Sequence, residues 1–424
     1  MTKFYLFIYN AILLPLFFML LRLLGFFNSK IRKGLKGRKR LIEKLIIELN
    51  GIDKSKRIVW FHSSSMGEFE QAKPIIEKLN KLRIYTILVT FFSPSGYENQ
   101  KNYPYADIVS YVPMDSPSEV GRFLSYINPS ILIFMRYDVW PNLVYQVSKK
   151  NIPIFIVDAT YSKSSNRSLF FVKAFYKELY SKISKIITVT ENDRAGFLSL
   201  GLDREKVISA GDTRYDRVYQ KSIEAKSRNL LDKTIFEEAP VFVFGSSWSA
   251  DEDVIFPAVK KLIFYKYKIK MIVAPHEPTI PHIEGIEKYF NPDVKTIRFS
   301  EMRNYSGEDV IIVDSVGILL SLYYYADFAY VGGSFKQIHN VLEPAVYGVP
   351  VLFGPKHHNS IEAEQLVKEG SGLVVTDKKS AYKTIRKLLK NEDKRKELGE
   401  ISYNFVKSRI GSTDKIILEL HKFI

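Results

Sequence analysis

Ile58-Val59-Trp60-Phe61-His62, followed by Ser63-Ser64-Ser65-Met66-Gly67-Glu68 and then the helical pattern Phe69–Leu82, is the stretch that decides the fold. An unbroken, β-branched and aromatic run of this length fits a strand covered on both faces of a parallel sheet. The Ser/Gly loop then opens straight into a helix, which is one step of a βα unit. The step recurs along the chain. Further candidate strands are Tyr85–Phe91, Ile108–Val112, Ile131–Met135, Ile154–Val157, Ile186–Val189 and Val207–Ala210, with helical patterns at Ser116–Ile127 and Asn142–Lys149. After a polar helical stretch, Val218–Lys233, a second series begins: Val241–Phe244, Lys270–Ala274, Val310–Val313, Phe328–Val331, Pro350–Phe353 and Gly372–Val375. Tyr382–Phe405 and Thr413–Phe423 read as closing amphipathic helices. The expectation is α/β, with two doubly wound domains and ligands at the carboxyl ends of their strands, in the cleft between them.

A chain of 424 residues, 46% hydrophobic and 25% charged, is too apolar to be disordered and long enough to bury its own cores. It contains no cysteine, which excludes a disulfide framework, a thiolate zinc site, an iron–sulfur cluster and a cysteine nucleophile. The net charge of +16 calls for anionic partners. Its distribution argues for a membrane rather than nucleic acid. Lys30, Arg32, Lys33, Lys36, Arg38, Lys39 and Arg40 put seven cations into eleven residues that hold no acid. Before them lies the apolar stretch Phe4–Phe27, broken by Asn10, Pro15, Arg22 and Gly25. A cleaved signal would carry its positive charges first and end in small residues. That leaves a spanning helix, or a partly embedded anchor held at the cytoplasmic leaflet by the basic run.

The loops at strand ends hold the candidate chemistry. Glu68 falls in the first turn of its helix, where the dipole favours a carboxylate that can accept a proton. The same spacing from Ser65 also makes a capping box with a purely structural role. In Arg136-Tyr137-Asp138-Val139-Trp140-Pro141-Asn142, Asp138 stands at the carboxyl end of a strand, as a functional carboxylate or as an ion-pair partner of Arg136. Arg214, in Gly211-Asp212-Thr213-Arg214-Tyr215-Asp216, is either aimed across the cleft or simply solvated. In the second half, Gly332-Gly333-Ser334, Pro275-His276-Glu277 and Asn340-Val341-Leu342-Glu343 follow strands or open helices. They suit a nucleotide's phosphate, base and ribose. His339, His357 and His358 lack the spacing of a metal site, and no P-loop or G-x-G-x-x-G occurs, so no metal and no cofactor are expected.

Taken together and in this order, several segments resemble the Kdo (3-deoxy-D-manno-octulosonic acid) transferases of lipopolysaccharide synthesis. They are Trp60-Phe61-His62 to Gly67-Glu68-Phe69-Glu70, Trp140-Pro141-Asn142-Leu143, Gly211-Asp212-Thr213-Arg214-Tyr215-Asp216-Arg217-Val218, Val331-Gly332-Gly333-Ser334 through Leu342-Glu343-Pro344-Ala345, and Gly348-Val349-Pro350-Val351-Leu352-Phe353-Gly354-Pro355. The resemblance covers nearly the whole chain. It implies a GT-B type glycosyltransferase with two Rossmann-like domains at the cytoplasmic face of the inner membrane. Such an enzyme moves Kdo from CMP-Kdo to lipid A precursor, inverting and without metal. The implied organisation is an anchor over residues 1–40, an acceptor-binding domain over 41–217, and a CMP-sugar domain with closing helices over 218–424. By the same resemblance Glu68 is the proton acceptor, and Asp138 and Arg214 steady the transition state. Pro275, His276, Val316, Gly317, Ile318, Asn340, Val341, Leu342 and Glu343 contact CMP. The partners implied are CMP-Kdo, lipid A precursor and an anionic membrane surface, with no nucleic acid. The chain departs from the family pattern at Arg136-Tyr137-Asp138, where the family has an acidic-hydroxyl-acidic triplet. It departs again at Gln337-Ile338-His339-Asn340-Val341 for Gly-Gly-His-Asn-Pro, and at Pro275-His276 for Pro-Arg. Another nucleotide-sugar enzyme on the same scaffold, or a non-catalytic membrane scaffold, are the rival readings.

Overall fold

The computed structural model describes residues 2–161 and 170–424, which form two compact units. In the first, β1 (Arg57–Ser63), β2 (Tyr85–Phe91), β3 (Ile108–Tyr111), β4 (Ile131–Met135), β5 (Ile154–Ala159), β6 (Lys185–Thr188) and β7 (Val207–Ser209) make a parallel sheet of order β3-β2-β1-β4-β5-β6-β7. In the second, β8 (Val241–Ser247), β9 (Lys270–Pro275), β10 (Thr296–Arg298), β11 (Val310–Ile312), β12 (Phe328–Val331), β13 (Val351–Phe353) and β14 (Gly372–Val374) make a parallel sheet of order β10-β11-β9-β8-β12-β13-β14. These are the two doubly wound α/β domains of a GT-B type chain. The sequence pattern anticipates every strand but β10, a three-residue edge whose Thr and Arg lack an apolar signature.

Strand pleating splits the first sheet's side chains between two cores. Trp60, Leu88, Leu132, Phe134, Ile154 and Ile156 face one, shared with the helices Pro117–Ile127 and Pro141–Lys149. Val59, Phe61, Ile87, Val89, Ile133 and Phe155 face the other, where Phe69, Ala72, Ile75, Ile76 and Leu79 of the helix Met66–Lys81 cover them. This two-sided burial is why the strands read as continuous apolar runs.

Three expected elements are corrected. The polar helix is Thr213–Lys226 rather than Val218–Lys233, so it starts inside the Gly-Asp-Thr-Arg loop. Tyr382–Phe405 is two helices, Lys378–Lys390 and Glu392–Lys407, divided at Asn391, whose side chain caps the second by accepting from the Lys394 amide at 2.8 Å. The last helix, Ser412–Leu420, was expected to close the second domain; it belongs to the first unit, with Ile416, Ile417 and Leu420 in the same core as Phe69. The chain therefore leaves the first unit after Arg217 and returns to it at Ile410.

The apolar stretch Phe4–Phe27 is a helix long and apolar enough to cross a membrane. The basic run after it is not a loose tail. The helix Ser29–Arg38 lies against the first unit through Gly34 and Gly37, where any Cβ would strike Pro94 and the Tyr111 ring. Lys33 pairs with Glu98 at 3.4 Å. Arg38 is withdrawn from the exposed cations of this run. It donates to the Phe92 carbonyl at 2.7 Å and the Val112 carbonyl at 3.0 Å, and its guanidinium lies over the rings of Phe92 and Tyr111. Arg38→Ala should therefore cost about 2–4 kcal/mol in chemical denaturation, through lost charge-assisted hydrogen bonds and packing, whereas Lys39→Ala, an exposed cation of the same run, should stay within about 0.5 kcal/mol.

Candidate active site

Strands β1 and β4 are neighbours in space but not in sequence, so the strand order reverses between them. In doubly wound sheets this is where the loops part and a ligand fits. The helix that follows β1 carries Glu68 in its first turn, and the loop after β4 carries Asp138. Ser65 caps the helix Met66–Lys81, and the capping box forms: the Glu68 amide donates to Ser65 Oγ at 3.4 Å, and Glu68 Oε2 accepts from the amides of Ser64 at 2.6 Å and Ser65 at 3.3 Å. The structural reading of Glu68 is thus realised, yet it does not consume the carboxylate. Both bonds go to Oε2, and Oε1 accepts none among the described residues. Glu68 is only 6% exposed. Burial, reinforced by the negative charge of Asp138, pushes its carboxyl up to about 7, against the opposing pull of the two amides and of Arg136.

Asp138 forms no ion pair with Arg136 among the described residues; its negative charge acts on Glu68. Arg136 instead leaves the strand in the left-handed region, at φ +66°, its amide held by the Val157 carbonyl at 2.7 Å. That kink ends β4 and turns Tyr137-Asp138 into the loop. Under β1's end, His62 is fully buried and burial pulls its imidazole down to about 3, so it stays neutral. Its Nδ1 shares a 3.0 Å hydrogen bond with Thr90 Oγ1, which also accepts from Trp60 Nε1 at 2.8 Å. His62 supports the loop, and so low a pKa makes it a weak proton acceptor.

The Gly-Asp-Thr-Arg motif proves to be a structural junction. Gly211, at φ +103°, abuts Ser412 so closely that a side chain would collide. Asp212 holds Arg214 in a two-pronged pair, at 2.6 Å from Nη2 and 2.9 Å from Nε. Thr213 Oγ1 donates to the Gln71 carbonyl at 2.8 Å and shares a second hydrogen bond with the buried carboxyl of Asp158. Asp216 caps the last helix through the amides of Gly411 and Thr413, both at 2.6 Å. Arg214 is thus oriented by Asp212 rather than simply solvated, with 41% of its side chain exposed. Asp158 is one residue the sequence reading missed. It is fully buried at the end of β5, at φ +51°. Burial and the charge of Asp212 hold its carboxyl well above the usual carboxylate range, while Arg214 holds Asp212 below it. The only sequence signal was an acidic residue directly after an apolar strand.

In the second unit the order reverses between β8 and β12, and the glycine segment lies there. Gly332 packs on the Ser246 carbonyl with no room for a side chain. Asp251, buried in the first turn of the helix Ser249–Phe264, accepts from the Gly333 amide at 2.8 Å, Tyr330 Oη at 3.0 Å and Ser334 Oγ at 3.1 Å. Beside this segment is a cavity of about 520 Å³ lined by Trp248, Gly333, Phe335, Lys336 and His339 among others. Two residues of its wall, Trp248 and His339, belong to a stack that joins three loops. Trp248 lies on His276 with ring centres 4.6 Å apart, His276 lies on His339 at 4.5 Å, and Trp248 Nε1 donates to His339 Nε2 at 3.0 Å. Trp248 was not anticipated; it follows its strand immediately, and only its place in the sheet marks it.

Of the positions expected to touch CMP, the stack brings His276 to the segment holding Asn340, and Asn340 Nδ2 donates to Glu343 Oε1 at 3.3 Å. Pro275 ends β9 and is buried. Val341 and Leu342 are 1% and 2% exposed, so their side chains are buried. Val316, Gly317 and Ile318 lie after β11, the neighbour of β9, with Val316 77% exposed and Gly317 at φ +82°. Among the described residues no three His, Asp or Glu side chains are grouped to hold a metal ion. His357 meets the Gly354 carbonyl at 3.2 Å and His358 the Glu364 carboxylate at 2.7 Å.

Comparison with known proteins places this arrangement in a family. Residues 35–217 match the family described as 3-Deoxy-D-manno-octulosonic-acid transferase (kdotransferase). The chain is 31% identical to the 3-deoxy-D-manno-octulosonic acid transferase of Aquifex aeolicus, over 81% of this chain and 91% of that one. It is 28% identical to a bifunctional glycosyltransferase/methyltransferase of Fusobacterium nucleatum over 84% of this chain, and spans 56% of that longer protein. Among solved structures, a UDP-N-acetylglucosamine 2-epimerase shares the fold with a TM-score of 0.60 at 14% identity, covering 87% of this chain and 96% of that one. With 31% identity to the Aquifex enzyme over most of both chains, the chain belongs to the 3-deoxy-D-manno-octulosonic acid transferase family.

Proposed function

We propose that this glycosyltransferase moves Kdo from CMP-Kdo to a lipid A precursor, with inversion, without a metal ion and with release of CMP, at the cytoplasmic side of the inner membrane. The observation that carries the reading is the Glu68 carboxylate: buried, raised to about 7 and with Oε1 available. A base works best when its pKa lies near the working pH, since it is then both ionised and strong enough to take the acceptor hydroxyl's proton. Asp138 contributes by raising Glu68, and Arg214, already oriented by Asp212, offers a cation to charge that develops in the transition state. On the donor side, the stack of Trp248, His276 and His339, together with Asn340 and Glu343, supplies a face for a base and carboxylate and amide groups for ribose hydroxyls. The net charge of +16 suits a phosphorylated lipid acceptor at an anionic surface. The direct test is incubation of the full-length protein with CMP-Kdo and lipid A precursor, with mass spectrometry of the lipid and assay of released CMP. Absence of a Kdo-bearing lipid, or turnover of a different nucleotide sugar, would sink the assignment.

Glu68→Gln separates the two roles of this residue, because glutamine at the same position also completes a capping box. Thermal stability should change little while transfer falls by about 100-fold or more. In the unmodified protein the rate should rise with pH through a midpoint near 7, since the ionised carboxylate is the active form. Asp138→Asn removes the repulsion that raises Glu68, so its acidic limb should move to lower pH even as the maximal rate drops.

Glu343→Ala should weaken CMP binding by about 10- to 100-fold in calorimetry, the loss expected for charge-assisted hydrogen bonds. Transfer should persist in excess EDTA, and complete loss restored by a divalent ion would refute the metal-free reaction.

A further inference from the structure

Two polar residues in the N-terminal half of the apolar helix, Tyr9 and Asn10, are both hydrogen-bonded to side chains of the first unit. Tyr9 Oη donates to Asp115 Oδ2 at 2.9 Å. Asn10 and Asn142 exchange side-chain hydrogen bonds at 3.1 and 2.7 Å. Asp115 also accepts from the amides of Asn142 and Leu143 at 3.0 and 2.8 Å, capping the helix Pro141–Lys149, so the four side chains form one connected polar clamp. A π-helical turn, Tyr9–Leu13, inserts an extra residue at this point. It keeps the following Leu14 and Phe17 on the face that already carries Tyr5, Tyr9 and Asn10. Leu14 is 4% exposed, Phe17 lies against Phe92 and Trp140, and Tyr5 lies edge-on to Phe175. The opposite face stays bare: Phe7, Ile12, Leu16, Met19, Leu20 and Leu23 are each at least half exposed.

These contacts run from Tyr5 to Phe17, about 18 Å along the helix axis, more than half of a hydrocarbon core about 30 Å thick. A helix that crossed the bilayer could not keep them, because Asp115, Asn142, Glu178 and Lys182 on the docking surface would have to enter the hydrocarbon with it. We infer that Tyr9 and Asn10 clamp this helix lengthwise onto the first unit, so that it enters a lipid surface from one side by its bare face and does not traverse it. The exposed cations Lys30, Arg32, Lys36, Lys39 and Arg40 follow directly and meet anionic headgroups at the same level. The occupant of the bare face is lipid rather than protein, since the apolar face is continuous with that cationic helix. The inference stands apart from the transfer reaction.

The cysteine-free chain makes the test clean. Full-length protein carrying Asn10→Cys and Asn142→Cys, bound to vesicles of mixed anionic and zwitterionic phospholipid, should cross-link with a short bismaleimide to the same extent as in detergent. The yield should exceed that of the pair Asn10→Cys with Lys54→Cys by at least about tenfold. Thr2→Cys on its own should react with an impermeant maleimide added outside the vesicles as fully as Lys54→Cys does. Cross-linking in detergent that disappears on vesicles would overturn the inference. So would protection of Thr2→Cys that only permeabilisation lifts.

Discussion

Burial of the first parallel sheet on both faces is the constraint from which the candidate site follows. The helix Met66–Lys81 covers one face and the helix Pro141–Lys149 the other, and each must begin where its strand, β1 or β4, leaves the sheet. Because these two strands are adjacent, the first turn of one helix and the approach to the other arrive side by side from opposite layers. Glu68 and Asp138 are therefore neighbours by topology, with no contact needed to draw two like charges together. The sheet imposes the proximity, and burial then converts it into a raised carboxyl. A single-layer arrangement of the same residues would leave both carboxylates solvated and ordinary.

The same constraint explains what was legible beforehand. Continuous apolar strands, their spacing and the Ser/Gly and Trp-Pro-Asn loops are local patterns, and they suffice for two doubly wound domains. The tie of Asp158 to Asp212 depends on which strand ends converge and leaves no periodic trace. Trp248 is one exposed aromatic among many until β8, β9 and β12 gather their loops around it. The basic run misleads in a similar way. Composition counts Arg38 with the other cations, whereas packing against Phe92 and Tyr111 makes it part of the fold. Asn10 reads as a flaw in an apolar segment and is in fact a contact, because its partner lies more than a hundred residues away.

Capping and chemistry share atoms in this protein without competing. The two amides that satisfy Glu68 Oε2 lie at the positive end of a helix, where they stabilise the ionised form. Burial and Asp138 oppose them. Neither influence alone would leave the group titrating near neutrality; the amides alone would hold it acidic, and burial alone would keep it protonated. A similar opposition governs Asp158 and Asp212, where one carboxyl is held neutral so that the other can stay charged against Arg214.

The return of the chain to the first unit at Ile410 has a consequence for biosynthesis. Residues 218–409 are, in effect, an insertion between two parts of one core. On the ribosome, the first unit emerges with all seven of its strands but without Ile416, Ile417 and Leu420, and with Asp216 lacking the helix it caps. The second unit, contiguous in sequence, can complete its packing while the first still waits for the final residues. The domain that is synthesised first is thus the one that is finished last.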